Sequence, residues 1–207
     1  MSTQNELDKI QFSNANSPKE AALYNWFYEH RIQSNYYFLG TDSAGRDVFS
    51  RLVYGSKISV AVGFIAVLIS LIIGILVGGL AGFYGGLVDN ILTWLITVVW
   101  SIPGIMLIIA ISMALNSKGI WVVFFAVGMT MWVDVARVVR GLVLETKQRL
   151  YVESAKALGV SSYRIIWRHI LPNISGPIIV MATANFAAAI LIEAGLSFIG
   201  IGVEPPT

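Results

Sequence analysis

Between Lys57 and Lys118 the chain carries one charge, Asp89, so residues 58–88 and 90–117 form two long uncharged runs. A hydrocarbon core of ~30 Å takes about 20 helical residues, so each run is long enough to cross a bilayer once. Backbone groups in hydrocarbon must be bonded inside their own segment, which makes helices of these runs. A third apolar stretch, 119–139, is interrupted by Asp134 and Arg137 near one end, and a fourth runs from 174 to 192, just before Glu193. An apolar fraction of 56% against 13% charged residues agrees with this pattern. The sequence therefore predicts an all-α membrane protein with four transmembrane helices and an irregular tail near Thr207.

Basic residues set the expected orientation. Arg137, Arg140, Lys147, Arg149, Lys156, Arg164 and Arg168 cluster after the third span, against Glu145 and Glu153. Residues 1–57 hold six basic and six acidic residues. The positive-inside rule places the loop at 142–172 in the cytoplasm and both termini outside. The expected organisation is an extracytoplasmic segment, 1–55, followed by a transmembrane domain, 56–207. No signal-peptide pattern is expected at the start. The aromatic-rich stretch 20–38 reads as an amphipathic helix at headgroup level, or as a contact for an external partner.

Inside the spans, Gly74, Gly78, Gly82 and Gly86 recur every four residues, predicting a row along which another helix packs closely. Pro103, in the middle of the second span, predicts a kink or break there, and a place in the pathway wall if the chain is a transporter. Asp134 and Arg137 are three residues apart on one helix face, where they can pair; an intramembrane carboxylate also admits a proton-relay reading. Asn185 is expected to hydrogen-bond to another helix, and Glu193 to sit at the outer end within reach of water.

The cytoplasmic loop reads as helix, turn, helix. Residues 146–158 favour a helix, Gly159 suits its C-terminal cap, Ser161 or Ser162 caps the next helix, and Pro172 ends it. Its apolar and basic residues suit either a groove on a partner protein or membrane lipid. No P-loop occurs, and His30 and His169 fall on opposite sides of the membrane, so no metal site, cofactor or catalytic residue is expected. A net charge of +2 argues against a nucleic-acid partner, and there are no cysteines.

Two motifs carry a family resemblance. In the loop, Glu153, Ala155, Gly159, Ile170, Leu171 and Pro172 fit the Glu-Ala-Ala…Gly…Ile/Leu-Pro pattern of ATP-binding-cassette importer permeases, with Ser154 where the second alanine usually stands. Before the first span, Gly40, Thr41, Asp42, Gly45, Arg46 and Asp47, with Ser50, Arg51, Gly55 and Ser59, resemble the signature of the oligopeptide, dipeptide and nickel permeases. The resemblance begins at Gly40 and implies the type I importer transmembrane fold, with the loop as the surface on which ATPases dock. It implies as partners a homologous second permease subunit, two cytoplasmic ATP-binding subunits and an extracytoplasmic substrate-binding protein. It also implies a prokaryotic plasma membrane and six helices per subunit, so the first and last are expected to be missing here. Short peptides are the expected cargo, with nickel or another small solute as the alternative. An ion-coupled carrier or channel using Asp134 or Glu193, and a non-transporting interaction protein, are the readings from other classes.

Overall fold

A computed structural model of the protein describes residues 37–115 and 120–200. Apart from Tyr37 and Phe38, both exposed, the aromatic stretch lies outside the described residues, as does His30. The described elements are helices α1 (Val48–Tyr84), α2 (Gly86–Trp100), α3 (Gly104–Ala114), α4 (Ile120–Thr146) and α5 (Leu150–Ala157), then a long helix α6 (Ser162–Phe198).

The chain divides into two compact units, 1–52 and 53–207. In the first, the signature residues build the start of α1. Gly40 and Gly45 take left-handed φ of 76° and 74°, which lets the chain reverse so that Thr41 pairs with Asp47 in an antiparallel bridge. Asp42 accepts the backbone N–H groups of Ala44 and Arg46 at 2.9 Å and pairs with the guanidinium groups of Arg46 and Arg51. Asp47 accepts the N–H groups of Phe49 and Ser50 at 3.1 Å, satisfying donors that the first helical turn leaves open. The Arg46 N–H holds the Asp42 carboxyl below its ordinary range, and the Ser50 hydroxyl does the same for Asp47.

In the second unit α4 is the central helix. Val123, Val127, Val135, Ala136, Val139 and Val143 are all buried, and they join three apolar clusters. The expected glycine seam lies against it. A Cβ on Gly74 would meet Val135 and the Trp132 carbonyl, one on Gly78 the Ala136 backbone, and one on Gly82 the Arg140 carbonyl at 2.8 Å. Positions rise together on the two helices, so α1 and α4 run parallel. Gly86 is not part of the seam: α1 ends at Tyr84, and Gly85 and Gly86, at φ 69° and 55°, make the turn into α2. The Lys147 ammonium donates to the Gly82 and Phe83 carbonyls at 3.2 Å, closing that end of α1.

Parallel packing of α1 and α4 decides the path between them. The chain must return across the membrane, so α2 and α3 together form one crossing, bent by 88°. Arms of roughly 22 and 16 Å at that angle put their ends about 28 Å apart, close to the hydrocarbon thickness. The break falls where Pro103 predicts it. Ile102 closes α2 with its N–H donating three residues back to the Val99 carbonyl at 3.2 Å, Pro103 is extended at φ −54°, ψ 123°, and Gly104 begins α3. Among the described residues four crossings result, with α6 antiparallel to α1: Ser59 meets Glu193, and Gly63 faces Phe186 and Ile190.

Three expectations for polar groups are corrected. Asp134 and Arg137 do not pair; the Arg137 guanidinium lies over the Trp100 ring at 4.1 Å. Glu193 is buried rather than open to water, and accepts the hydroxyls of Ser59 and Ser197 at 2.9 Å each. The Asn185 amide nitrogen is buried with no partner among the described residues. A partly buried ion pair in the spans is one the sequence reading missed: Arg140 grips Asp89 at 2.5 and 2.8 Å, tying α4 to the first turn of α2.

Candidate functional site: the loop between the third and fourth crossings

The loop starts with a turn rather than a helix. α4 ends at Thr146, residues 147–149 reverse the chain, and α5 begins at Leu150, although Lys147, Gln148 and Arg149 are good helix formers. The Lys147 contact with the end of α1 holds the turn in place. Tertiary bonding has overridden propensity here.

Gly159 performs the predicted cap. At φ +72° it lets its own N–H reach the Lys156 carbonyl at 3.0 Å and the Val160 N–H reach the Ala155 carbonyl at 3.1 Å. These two bonds are the Schellman closure of α5. Ser161 stands at the cap of α6, as predicted, but its side chain makes no capping bond.

The second helix does not stop before Pro172. It continues through Pro172 and Pro177 into the fourth crossing, making α6 37 residues long. A π turn over Ile166–Ile170 makes this feasible, with the Leu171 N–H donating to the Ile166 carbonyl. The wider turn relieves the crowding that a proline ring imposes on the preceding turn. The Asn173 side chain donates to the His169 carbonyl at 2.7 Å in the same stretch. The second arm of the elbow is therefore continuous with the membrane helix.

The predicted residues sort onto two sides. Ala155 is buried with Val152, Ile165 and Ile170 against Val143 and Phe83, and Leu171 packs on the same cluster. Lys156 adds a cation over the Phe83 ring at 5.3 Å. Glu153, Ser154, Gly159 and Pro172 face outward. The Ser154 hydroxyl donates to the Leu150 carbonyl, so serine satisfies its polar group where alanine is usual. Leu150 and Leu158 are 81% and 83% exposed, and Tyr163 is 72% exposed. The outer surface thus carries exposed apolar side chains, with Arg164 and Arg168 also exposed. Among the described residues no cluster of three metal-ligating side chains occurs.

Parallel spans, a broken crossing and an elbow continuous with the last helix define a multi-pass α-helical membrane protein with a projecting loop. The sequence profile of the binding-protein-dependent transport system inner membrane component family matches residues 70–207, and the chain belongs to that family. The all-α type I importer transmembrane fold expected from the sequence is thereby borne out. Relatives include the dipeptide transport system permease protein DppC of Bacillus subtilis, 42% identical over 82% of this chain and 53% of its own length. The oligopeptide transport system permease protein OppC of Escherichia coli K12 is 43% identical over 84% and 57% respectively. The glutathione transport system permease protein GsiD of Shigella flexneri is 46% identical over 83% and 56%. The chain spans about half the length of these relatives.

Proposed function

We propose that this chain is a permease subunit of an ATP-binding-cassette importer and forms part of the pathway for short peptides. It hydrolyses no ATP itself. It works with a homologous second permease, two cytoplasmic ATP-binding subunits and an extracytoplasmic binding protein, in the plasma membrane of a prokaryote, with residues 1–55 and the end of α6 outside. The names of the relatives, which carry dipeptides, oligopeptides and glutathione, favour peptides over nickel as cargo.

One observation carries the reading: the two-sided loop. Its inner side is locked to the ends of α1 and α4 through Ala155, Val152 and Ile165, while its outer side leaves Leu158 and Tyr163 without cover. An ATP-binding subunit seated on that outer side would move α5 and, through the turn at Gly159, the continuous α6. Glu153, Ser154 and Pro172 border the contact, and Leu171 anchors it. A lone carrier would have no use for such a surface.

The test is ATP-driven peptide uptake by the assembled transporter in vesicles. Gly159→Val places a β-branched residue at positive φ, which strains the turn without any steric clash around it. Uptake should fall at least tenfold relative to ATP hydrolysis, with the assembly still recovered. Unchanged coupling in this variant would remove the loop from the mechanism.

A further inference from the structure

Two cavities share one wall of the membrane domain. The first, of about 390 Å³, is lined by Thr93, Thr97, Trp100, Arg137 and Arg140. The second, of about 190 Å³, is lined by Trp100, Pro103, Gly104, Thr130 and Asp134. Trp100, the last residue before the broken stretch, belongs to both. One cavity therefore carries cations, the other a carboxylate, and an indole ring is common to them.

Arg137 already lies over the Trp100 ring, but two of these charges lack a counter-charge among the described residues. Arg140 is committed to Asp89, but Asp134 and Arg137 are exposed and have no ion-pair partner among the described residues. They lie roughly 18 and 14 Å along α4 from Thr146, inside the stretch Trp121–Thr146 that is long and apolar enough to cross a membrane. Charges at that depth are costly against lipid and belong on a water-filled path. An anionic lipid headgroup would match Arg137 but is repelled by Asp134 one helical turn away. A ligand with one charge of each sign matches both.

We propose that Asp134 and Arg137, on the two sides of Trp100, hold the charged ends of a short zwitterionic peptide in transit. The ammonium group meets the Asp134 carboxylate and the terminal carboxylate meets the Arg137 guanidinium. A peptide of two or three residues spans at most ~7–10 Å, which suits side chains one helical turn apart that splay around an indole. This assignment rests on the peptide-importer reading and adds the contact that recognises the cargo.

The test uses the complete transporter in vesicles with its binding protein, each peptide at a concentration that saturates that protein. Uptake of trialanine, its C-terminal amide and its N-acetyl form is compared. Arg137→Gln should slow trialanine about tenfold and leave the amide unchanged, and Asp134→Asn should slow trialanine and leave the N-acetyl form unchanged. Arg137→Lys, which keeps the charge, should restore most of the rate. Equal slowing of all three peptides would mean a structural role, and no slowing would mean no contact; either overturns the proposal. An Arg137→Gln effect that follows the anionic-lipid content of the vesicles, whatever the peptide's ends, would assign the site to lipid instead. If the unaltered transporter takes up none of the peptides, the importer reading fails and this one with it.

Discussion

Replacing Gly78 by alanine adds one methyl group where the backbone of α4 leaves no room. The new Cβ would overlap the Ala136 carbonyl oxygen and stand 3.0 Å from its carbon and Cα. These atoms belong to a helix backbone and cannot swing aside as a side chain would. Restoring normal contact opens the seam by about 1 Å, which forfeits much of the dispersion attraction along it. Overpacking of this kind costs roughly 1–3 kcal/mol, and alanine's better helix propensity returns up to about 1 kcal/mol. The neighbouring Gly79 is the control, because a Cβ there meets nothing within 4 Å. Gly79→Ala should be neutral or stabilising. The pair should therefore differ by about 2 kcal/mol, or roughly 4–8 °C in the midpoint for a chain of this size. The assay is heating in mild detergent, followed by the fraction that still elutes as a single species. A Gly78→Ala protein as stable as Gly79→Ala would refute the close parallel packing of α1 and α4, and with it the deduction that α2 and α3 make one crossing.

The Asp89–Arg140 pair should cost about 2 kcal/mol when either partner is neutralised, less than a fully buried pair because both keep some solvent access. The double variant Asp89→Asn/Arg140→Gln should lose less than the sum of the single losses in the same thermal assay; strict additivity would show that the pair does not act as one. In the turn before α1, Asp42 and Asp47 have carboxyl groups held below their ordinary range, so the turn binds fewer protons than the unfolded segment. Its stability is present above pH ~4 and is lost as the pH falls through the depressed folded values. The amide resonances of Arg46 and Ser50 should stay put from pH 7 to 5 and move only below about 4; a transition near pH 6 would contradict the cap geometry. The chain has no cysteine of its own. Single cysteines at Leu158 or Tyr163 should cross-link to an ATP-binding subunit in the assembled complex, while one at Leu76, on the exposed side of α1, should not.

The spans were legible because charge is so costly in hydrocarbon that its absence over 58–88 and 90–117 marks them directly. The break at Pro103 and the cap at Gly159 were legible too, since each rests on a local backbone property. What escaped the sequence depends on neighbours. Asp89 stood out as the lone charge between two apolar runs, but nothing in the chain order joins it to Arg140. Local spacing offered Arg137 to Asp134; packing gave it to Trp100. Pro172 looked like a helix end because its missing donor is a local fact. The π turn that carries α6 past it is a feature of the surrounding fold. Likewise the regular glycine spacing ran on to Gly86, although the helix itself had ended at Tyr84. In the loop, the apolar residues were visible, but which of them face inward is decided by the ends of α1 and α4.

The central claim is that the loop from Leu150 to Pro172 is a docking surface for ATP-binding subunits. The direct measurement is purification of the tagged protein from its native membrane in mild detergent, beside a Leu158→Asp variant. Leu158 is 83% exposed, so the substitution leaves the fold intact and alters only the outer surface. The unaltered protein should bring ATP-hydrolysing subunits with it, and the variant should be recovered in equal yield without them. ATP-binding subunits retained by the variant, or absent from both preparations, would contradict the account.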